Sequence, residues 1–264
     1  MTWQTFERCG LKLSGFDGNE GLPVIFQHGL GGDEAQVADV FPDERYRRLT
    51  LECRAHGKSE AGDTSSFSIA TFADDILAFA DERRIDRFAI GGISMGAAVA
   101  LRIAVKYPKR ILALILARPA WLWEKAPENM QVFAELAPFL KDGRREEFEA
   151  SGTAQMLEIQ GPDNLVSLLK FFEKPNPLLV AKLISAIAGD GPGVGEQDIR
   201  SIKIPTLVIG TTIDWVHPLS HATTLAGSIQ HAELVEITPK AVDKMRHAEE
   251  FRNTVRNFLI KKGI

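Results

Sequence analysis

Short apolar runs alternate with longer stretches of helical periodicity, and this alternation constrains the fold more than any other feature of the sequence. The runs that predict strands are residues 24–27, 48–53, 88–93, 111–117, 206–210 and 232–237. Between the second and third runs, apolar side chains recur at helical spacing at Ile69, Phe72, Ile76 and Phe79, after a candidate N-cap at Ser68. The alternation is typical of an α/β protein with a mostly parallel, twisted sheet flanked by helices.

The two ends of the chain extend this pattern. Residues 6–14 predict an antiparallel hairpin at the sheet edge, and residues 249–260 predict an amphipathic closing helix. Its inward positions are Phe251, Val255, Phe258 and Leu259.

The alternation breaks between about residues 119 and 202, where four helix-like segments follow one another without a strand. Residues 118–199 hold 13 acidic and 8 basic side chains, a balance of −5, whereas the whole chain carries −4. An insertion between parallel strands is expected over their carboxyl ends, where open α/β sheets bind ligands. The sequence therefore predicts a core of residues 1–118 and 201–264, with a helical cap inserted at residues 119–200.

Composition excludes several classes of protein. With 45% hydrophobic and 25% charged residues, the chain is not a disordered one. Its net charge of −4 disfavours a nucleic-acid partner, and its longest apolar run, 111–117, is too short to cross a membrane. The first ten residues lack the apolar segment of a signal peptide, and the two cysteines show no disulfide or zinc spacing. We expect a cytoplasmic enzyme that acts on a small molecule. Whether the protein forms a homodimer stays an open question.

The motif that carries chemistry is Gly92-Ile93-Ser94-Met95-Gly96, a G-x-S-x-G pattern. It lies where a predicted strand ends and a predicted helix begins, as the nucleophile elbow of a serine hydrolase requires. The alternative is a glycine-rich turn whose serine takes no part in chemistry.

A serine nucleophile needs a base, which an acid orients. In the chain order serine, acid, histidine, the base belongs to the loop after the last strand, and of six histidines His247 fits that place. The alternative for His247 is a solvated residue at a helix start. The acid should follow the strand 206–210, where Asp214 is the carboxylate; otherwise Asp214 is a turn former.

The oxyanion of an acyl transfer needs two N–H donors. The glycine-rich loop at residues 28–32 offers the amide of Leu30, and the residue after the nucleophile offers that of Met95. A phosphate-binding loop is rejected because its G-x-G-x-x-G and G-x-x-x-x-G-K-[ST] spacings are absent. No metal or organic cofactor is expected.

Outside the cap, the chain resembles the α/β-hydrolase-fold family, in particular its cap-bearing esterases, lactonases and C–C hydrolases, with 3-oxoadipate enol-lactonases closest in pattern. The matching segments are residues 28–32, 54–59 and 92–96, with Asp214 and His247. Two departures are Ala55, where the family usually has glycine, and the missing glycine before His247. The resemblance implies a serine esterase or lactonase. A C–C hydrolase, an acyltransferase and a non-enzymatic ligand receptor of the same fold remain alternatives.

Substrate contacts are the least constrained part of the prediction. Arg118 directly follows the strand 111–117 and is expected either to bind a substrate carboxylate or to pair with a carboxylate of the cap. The other candidates for the pocket are Trp121, Trp123, Trp215 and His217, of which the first two are the expected walls.

Overall fold

A computed structural model describes residues 2–18, 20–41 and 45–264. Its strands are β1 (Thr2–Arg8), β2 (Leu11–Gly18), β3 (Leu22–Gln27), β4 (Tyr46–Leu51), β5 (Phe88–Ile93), β6 (Ile111–Ala117), β7 (Thr206–Gly210) and β8 (Glu233–Glu236). Within these residues they form one eight-stranded sheet in the order β1-β2-β4-β3-β5-β6-β7-β8. The pairs β1–β2 and β2–β4 are antiparallel, and all later neighbours are parallel. The predicted α/β fold with a mostly parallel sheet is confirmed.

Strand bounds follow the sequence pattern most closely in the centre of the sheet. β5, β6 and β7 begin and end at the predicted residues. These strands are buried along almost their whole length, because helices cover both faces of a parallel sheet. The edge hairpin is longer than the predicted 6–14, since its two strands pair from Thr2 with Asp17 to Arg8 with Leu11.

Eleven α-helices flank and cap this sheet in the part of the chain that the structure describes. They are α1 (Glu34–Val40), α2 (Ile69–Glu82), α3 (Met95–Lys106), α4 (Gln131–Asp142), α5 (Arg145–Glu149), α6 (Gly152–Gln160), α7 (Pro162–Leu169), α8 (Pro177–Ala188), α9 (Glu196–Arg200), α10 (Leu219–Ser228) and α11 (Lys244–Lys261). The predicted N-cap of α2 is confirmed: the Ser68 hydroxyl accepts the Thr71 N–H at 3.0 Å. None of these helices is long and apolar enough to cross a membrane.

The closing helix begins at Lys244, not at the predicted residue 249. The cause is a cap that the apolar pattern did not indicate: the Asp243 carboxylate accepts the Arg246 N–H at 3.0 Å. As a result His247 lies in the first turn of α11, and its predicted position in a loop before the helix is wrong.

Apolar side chains pack in two clusters, one on each face of the sheet. Within β3, Val24 and Phe26 belong to one cluster and Ile25 to the other, as the alternation of side chains along a strand requires. Phe251 of α11 packs in the first cluster and Phe72 of α2 in the second. The sheet therefore lies between two layers of helices.

Helices α4 to α9 all lie between β6 and β7, in the segment that the sequence predicts as a cap. Asp190, at the end of this segment, makes one hydrogen bond within the segment and one to the core. Its carbonyl oxygen accepts the indole N–H of Trp121 at 2.9 Å, and its carboxylate accepts the Ile69 N–H at the start of α2 at 2.8 Å. The bond to Ile69 attaches the cap segment to the helix layer of the core.

Candidate active site

Ser94 forms the turn between β5 and α3 alone, since β5 ends at Ile93 and α3 begins at Met95. Its backbone has φ 56° and ψ −113°, a conformation that a residue with a side chain adopts only under strain. A Cβ on Gly96 would lie 2.5 Å from the carbonyl oxygen of Gln27, and one on Gly92 would overlap the backbone of Gly96. Both glycines of the motif are therefore needed for β5 and α3 to approach closely enough to make the turn.

The turn places Ser94 in the wall of a cavity of about 350 Å³ at the carboxyl edge of the sheet. The glycine-rich loop after β3, the ends of β5 and β6, the loop after β7 and the cap helix α7 all contribute to its lining. Leu30, Arg118 and His217 line it together with Ser94. Ligand sites in open parallel sheets occur at this edge.

Among the described residues, the two predicted oxyanion donors have no acceptor. The loop fixes itself through other amides: the Gly29 N–H donates to Gln36 Oε1 at 2.7 Å and the Gly32 N–H to the Gly29 carbonyl oxygen at 3.0 Å. Within the described residues no acceptor is bonded to the N–H of Leu30 or to that of Met95, the first residue of α3. The N-terminus of α3 adds a favourable dipole for a negative charge beside Ser94.

Asp214, in the loop after β7, is buried and accepts several hydrogen bonds. Arg118 approaches its Oδ2 with Nε at 2.8 Å and with a terminal nitrogen at 2.6 Å. Its Oδ1 accepts the side-chain amide of Asn164 at 2.8 Å and lies 2.8 Å from Nδ1 of His217. Burial alone would raise the pKa of Asp214, but Arg118, His217 and Asn164 outweigh it and hold that pKa well below its usual range. Asp214 is therefore an anion at neutral pH.

His217 is oriented by this anion. Because an ionised carboxylate can only accept, the 2.8 Å contact requires the proton on Nδ1 and leaves Nε2 with its lone pair. Nε2 is buried and has no hydrogen-bond partner within the described residues. Burial, together with the guanidinium of Arg118, lowers the pKa of His217 although Asp214 opposes the change, so its ring is neutral at pH 7.

His247 has different neighbours. Its Nδ1 lies 2.8 Å from the carbonyl oxygen of Thr238, and none of the described contacts joins it to Ser94 or Asp214. It lines a smaller cavity of about 90 Å³, whose walls share Ile93, Arg118 and two lysines with the cavity of Ser94. Burial lowers the pKa of His247, the Thr238 carbonyl opposes the change, and the charge of Arg118 adds to it.

Arg118 pairs with a carboxylate outside the predicted cap segment, and its predicted contact with a substrate carboxylate stays a prediction. Its guanidinium lies on Asp214 of the core, and a terminal nitrogen is 3.2 Å from Nδ1 of His217. Arg118 itself has φ 47°, which turns the chain sharply as it leaves β6. This turn places the guanidinium between the ends of β6 and β7.

The three tryptophans do not line the cavity of Ser94 in the part of the chain described. Trp121 is fully buried, and its bond to Asp190 joins the two ends of the cap segment. Trp123 is half-buried and packs against the apolar cluster that contains Trp121. Trp215 lines a separate outer cavity of about 520 Å³ on the other side of Asp214. His217 does line the cavity of Ser94.

Sequence reasoning missed the basic side chains of this cavity and the amide of Asn164. The lysines that line it are Lys170, Lys174, Lys240 and Lys244. The sequence did not indicate that these lysines line the cavity, because a charge count does not say which face of the molecule a side chain occupies. The described residues contain no group of three side chains that could hold a metal ion.

Comparison with known proteins identifies the family to which this fold belongs. Residues 23–241 match the family model described as "alpha/beta hydrolase fold". The chain belongs to the α/β-hydrolase fold family. It is 28% identical to a putative carbamate hydrolase of Rhizobium rhizogenes, over 94% of this chain and 96% of the relative. It is 26% identical to 2-hydroxymuconate semialdehyde hydrolase of Pseudomonas putida, over 95% and 92% of the two chains.

Among solved structures, the α/β-hydrolase fold of this chain is similar to the enol-lactonase from Burkholderia xenovorans. The TM-score is 0.77 at 23% identity, covering 97% of this chain and all of that one. The chain is thus a hydrolase of the α/β-hydrolase type, and its relatives act on different bonds. The cavity, not the family, must determine its substrate.

Proposed function

We propose that this α/β-hydrolase cleaves a small carboxylic ester or lactone through an acyl-enzyme, with Ser94 as the nucleophile. The observation that carries the proposal is the strained turn at Ser94, which places its hydroxyl in the wall of a cavity at the carboxyl edge of the sheet. Such strain persists where the surrounding structure maintains it, and it clusters at functional sites. The hydroxyl of Ser94 makes no hydrogen bond to the helix that it precedes, so it is available to a substrate.

In the proposed reaction the Ser94 oxygen attacks the acyl carbon, and the N–H groups of Leu30 and Met95 hold the oxyanion that forms. Neither N–H has an acceptor in the described part of the chain, which supports this role, since a bound oxyanion would satisfy both donors. A histidine takes the serine proton and gives it to the departing alcohol. The histidine then takes a proton from a water molecule, which attacks the acyl carbon. The histidine returns that proton to the Ser94 oxygen as the carboxylic acid leaves.

Two histidines can supply that base. The sequence predicts His247, with Asp214 as the acid that orients it, and this triad of Ser94, Asp214 and His247 stays a prediction. The contacts favour His217, because its Nδ1 is bonded to Asp214 and it lines the same cavity as Ser94. Its Nε2 has no partner among the described residues, and no described hydrogen bond joins either histidine to Ser94. We therefore propose His217 as the base, oriented by Asp214.

A panel of chromogenic esters and lactones, with Ser94→Ala as the matched variant, tests the proposal. We expect Ser94→Ala to lower kcat by about 10³–10⁶ with folding intact. A fluorophosphonate should add to the wild-type protein and not to Ser94→Ala, as read from intact mass. Full turnover by Ser94→Ala would refute the proposal. Cleavage of a 1,3-diketone with every ester untouched would favour the C–C hydrolase alternative.

Paired histidine variants identify the base. His217→Gln should lower kcat by about 10²–10⁴, and His247→Gln should lower it much less. The opposite ranking would restore the predicted triad while leaving the serine hydrolase proposal in place. Single-turnover kinetics with a stable partner complex would instead favour the receptor alternative.

A further inference from the structure

The cavity of Ser94 is basic although the molecule is acidic. Among the described residues, five basic side chains line it, Arg118, Lys170, Lys174, Lys240 and Lys244, against one acidic side chain, Asp39. The whole chain carries −4, and the inserted segment that supplies two of these lysines is itself acidic. Positive charge is thus concentrated where the nucleophile lies.

Two of the five charges are already paired. Arg118 is bound to Asp214, and the ammonium of Lys240 lies 3.3 Å from Asp163 of the cap helix α7. Lys170, Lys174 and Lys244 form no ion pair with any of the described residues. Lys174 is half-buried, so part of its hydration is already lost, and Lys170 and Lys244 are exposed at the mouth of the cavity.

These three lysines come from two different parts of the chain and line the same cavity. Lys170 and Lys174 belong to the cap segment after α7, whereas Lys244 begins α11 on the core side. Positive charges that line one cavity repel each other, and a bound anion lowers that repulsion. An apolar floor completes the cavity, formed by Leu30, Phe133 and Phe171.

From these charges we infer that the substrate carries an anionic group, a carboxylate or a phosphate, held by Lys170, Lys174 and Lys244 while its acyl carbon lies at Ser94. The inference rests on the proposed hydrolase function only for the place of the acyl carbon. Charge-assisted hydrogen bonds from ammonium groups suit both anions. The partial loss of water around Lys174 strengthens its attraction for them.

Binding to full-length Ser94→Ala, followed by calorimetry, tests the inference without turnover. The carboxylate probe is monomethyl glutarate, and its neutral counterpart is dimethyl glutarate. The phosphate probe is an acetate ester of the same chain length with a terminal phosphate. We expect at least one anionic probe to bind tenfold or more tightly than the neutral ester, a difference of about 1.4 kcal/mol. The carboxylate and phosphate arms identify the anion. Equal affinity for charged and neutral probes would overturn the inference.

Variants of the lysines locate the interaction. In the Ser94→Ala background, Lys170→Gln, Lys174→Gln and Lys244→Gln together should reduce the ratio of anionic to neutral affinity to nearly one. Lys109→Gln is the matched control, since Lys109 is exposed at the opposite edge of the sheet, just before β6, and should leave the ratio unchanged. A ratio that survives the triple change would overturn the inference.

The inference and the proposed function fail in different ways. Preference for an anion without hydrolysis by the wild-type protein would refute the function and support the inference. Hydrolysis with no preference for charge would support the function and refute the inference. Melting temperatures of all variants show whether each protein is folded.

Discussion

At the scale of single residues, the sequence indicates a candidate nucleophile and a candidate acid but not which histidine contacts that acid. Ser94 and Asp214 could be predicted because each follows directly from a local pattern, a strand end and a short loop. The partner of Asp214 could not, because it depends on how the loop after β7 folds His217 back onto Asp214. The partner of Asp214 also depends on the N-cap at Asp243, because that cap begins α11 before His247. Neither determinant shows in the apolar periodicity.

The glycines of the motif lead to a first prediction. Gly96→Ala would place a Cβ 2.5 Å from the backbone of Gln27, which cannot move aside as a side chain can. We expect a loss of about 1–3 kcal/mol in the free energy of unfolding, as for other overpacked sites, together with reduced turnover. Urea unfolding measures the first effect and ester hydrolysis the second. Gly152→Ala is the control, since nothing lies within 4 Å of its Cβ; if it matched Gly96→Ala, close packing would not be the cause.

Arg118 leads to a second prediction. Arg118→Gln leaves the buried Asp214 without its main counter-charge, which should lower the free energy of unfolding by about 3 kcal/mol. Because the low pKa of Asp214 depends on Arg118, the variant should also lose stability at a higher pH on acidification than the wild type. Arg144→Gln, which breaks an exposed pair with Glu147, should change neither quantity. An unchanged melting temperature in Arg118→Gln would show that the ion pair contributes nothing.

At the scale of elements, central strands were easier to predict than helix starts. β5, β6 and β7 are buried apolar runs, and the sequence marks both of their ends. The start of α11 is set by one polar contact at Asp243, and the attachment of the cap by Asp190; single hydrogen bonds between distant residues leave no periodic signal. For the same reason the sequence did not predict that Trp121, expected in a pocket wall, is fully buried.

Asp190 leads to a third prediction, about α2. Asp190→Ala removes the carboxylate that accepts the first N–H of this helix, so α2 should lose about 1 kcal/mol of local stability. Hydrogen exchange at the first turn of α2 should accelerate, with exchange in the central strands unchanged. Asp142→Ala, at the exposed end of α4, should leave exchange in α2 as it is. Unaltered exchange at Ile69 in Asp190→Ala would contradict the proposed attachment.

At the scale of the whole molecule, buried histidines link stability to pH. Burial lowers the pKa of His28 to about 4 and that of His56 to about 3, and it also lowers those of His217, His221 and His247. In the unfolded chain each takes up a proton near pH 6.5, so between that pH and its folded pKa the unfolded state binds more protons. The stability that these groups contribute is complete above about pH 6.5 and is lost as the pH falls.

The fourth prediction follows from this sign. His28 and His56 should each reduce the free energy of unfolding by about 2 kcal/mol between pH 7 and pH 5, as measured by urea unfolding across that range. His56→Asn should make the decline with falling pH less steep, by about one proton. His231→Asn, at an exposed residue with φ 60° that asparagine tolerates, is the control and should keep the wild-type slope. A free energy of unfolding that is flat from pH 7 to pH 5 would contradict the prediction.

The basic lining of the cavity within an acidic molecule has a consequence for the speed of capture. At distances beyond the molecule, a net charge of −4 slows an approaching anion, whereas near the mouth the lysines accelerate it. Dissolved ions screen the long-range repulsion first, since the Debye length is about 10 Å at 0.1 M and the final contacts are shorter than that. The encounter rate of an anionic ligand should therefore rise from very dilute buffer to moderate ionic strength and fall again at high salt. Such a maximum, measured by stopped flow, would make the ionic strength of the surroundings a tuning variable for how fast this protein captures its ligand.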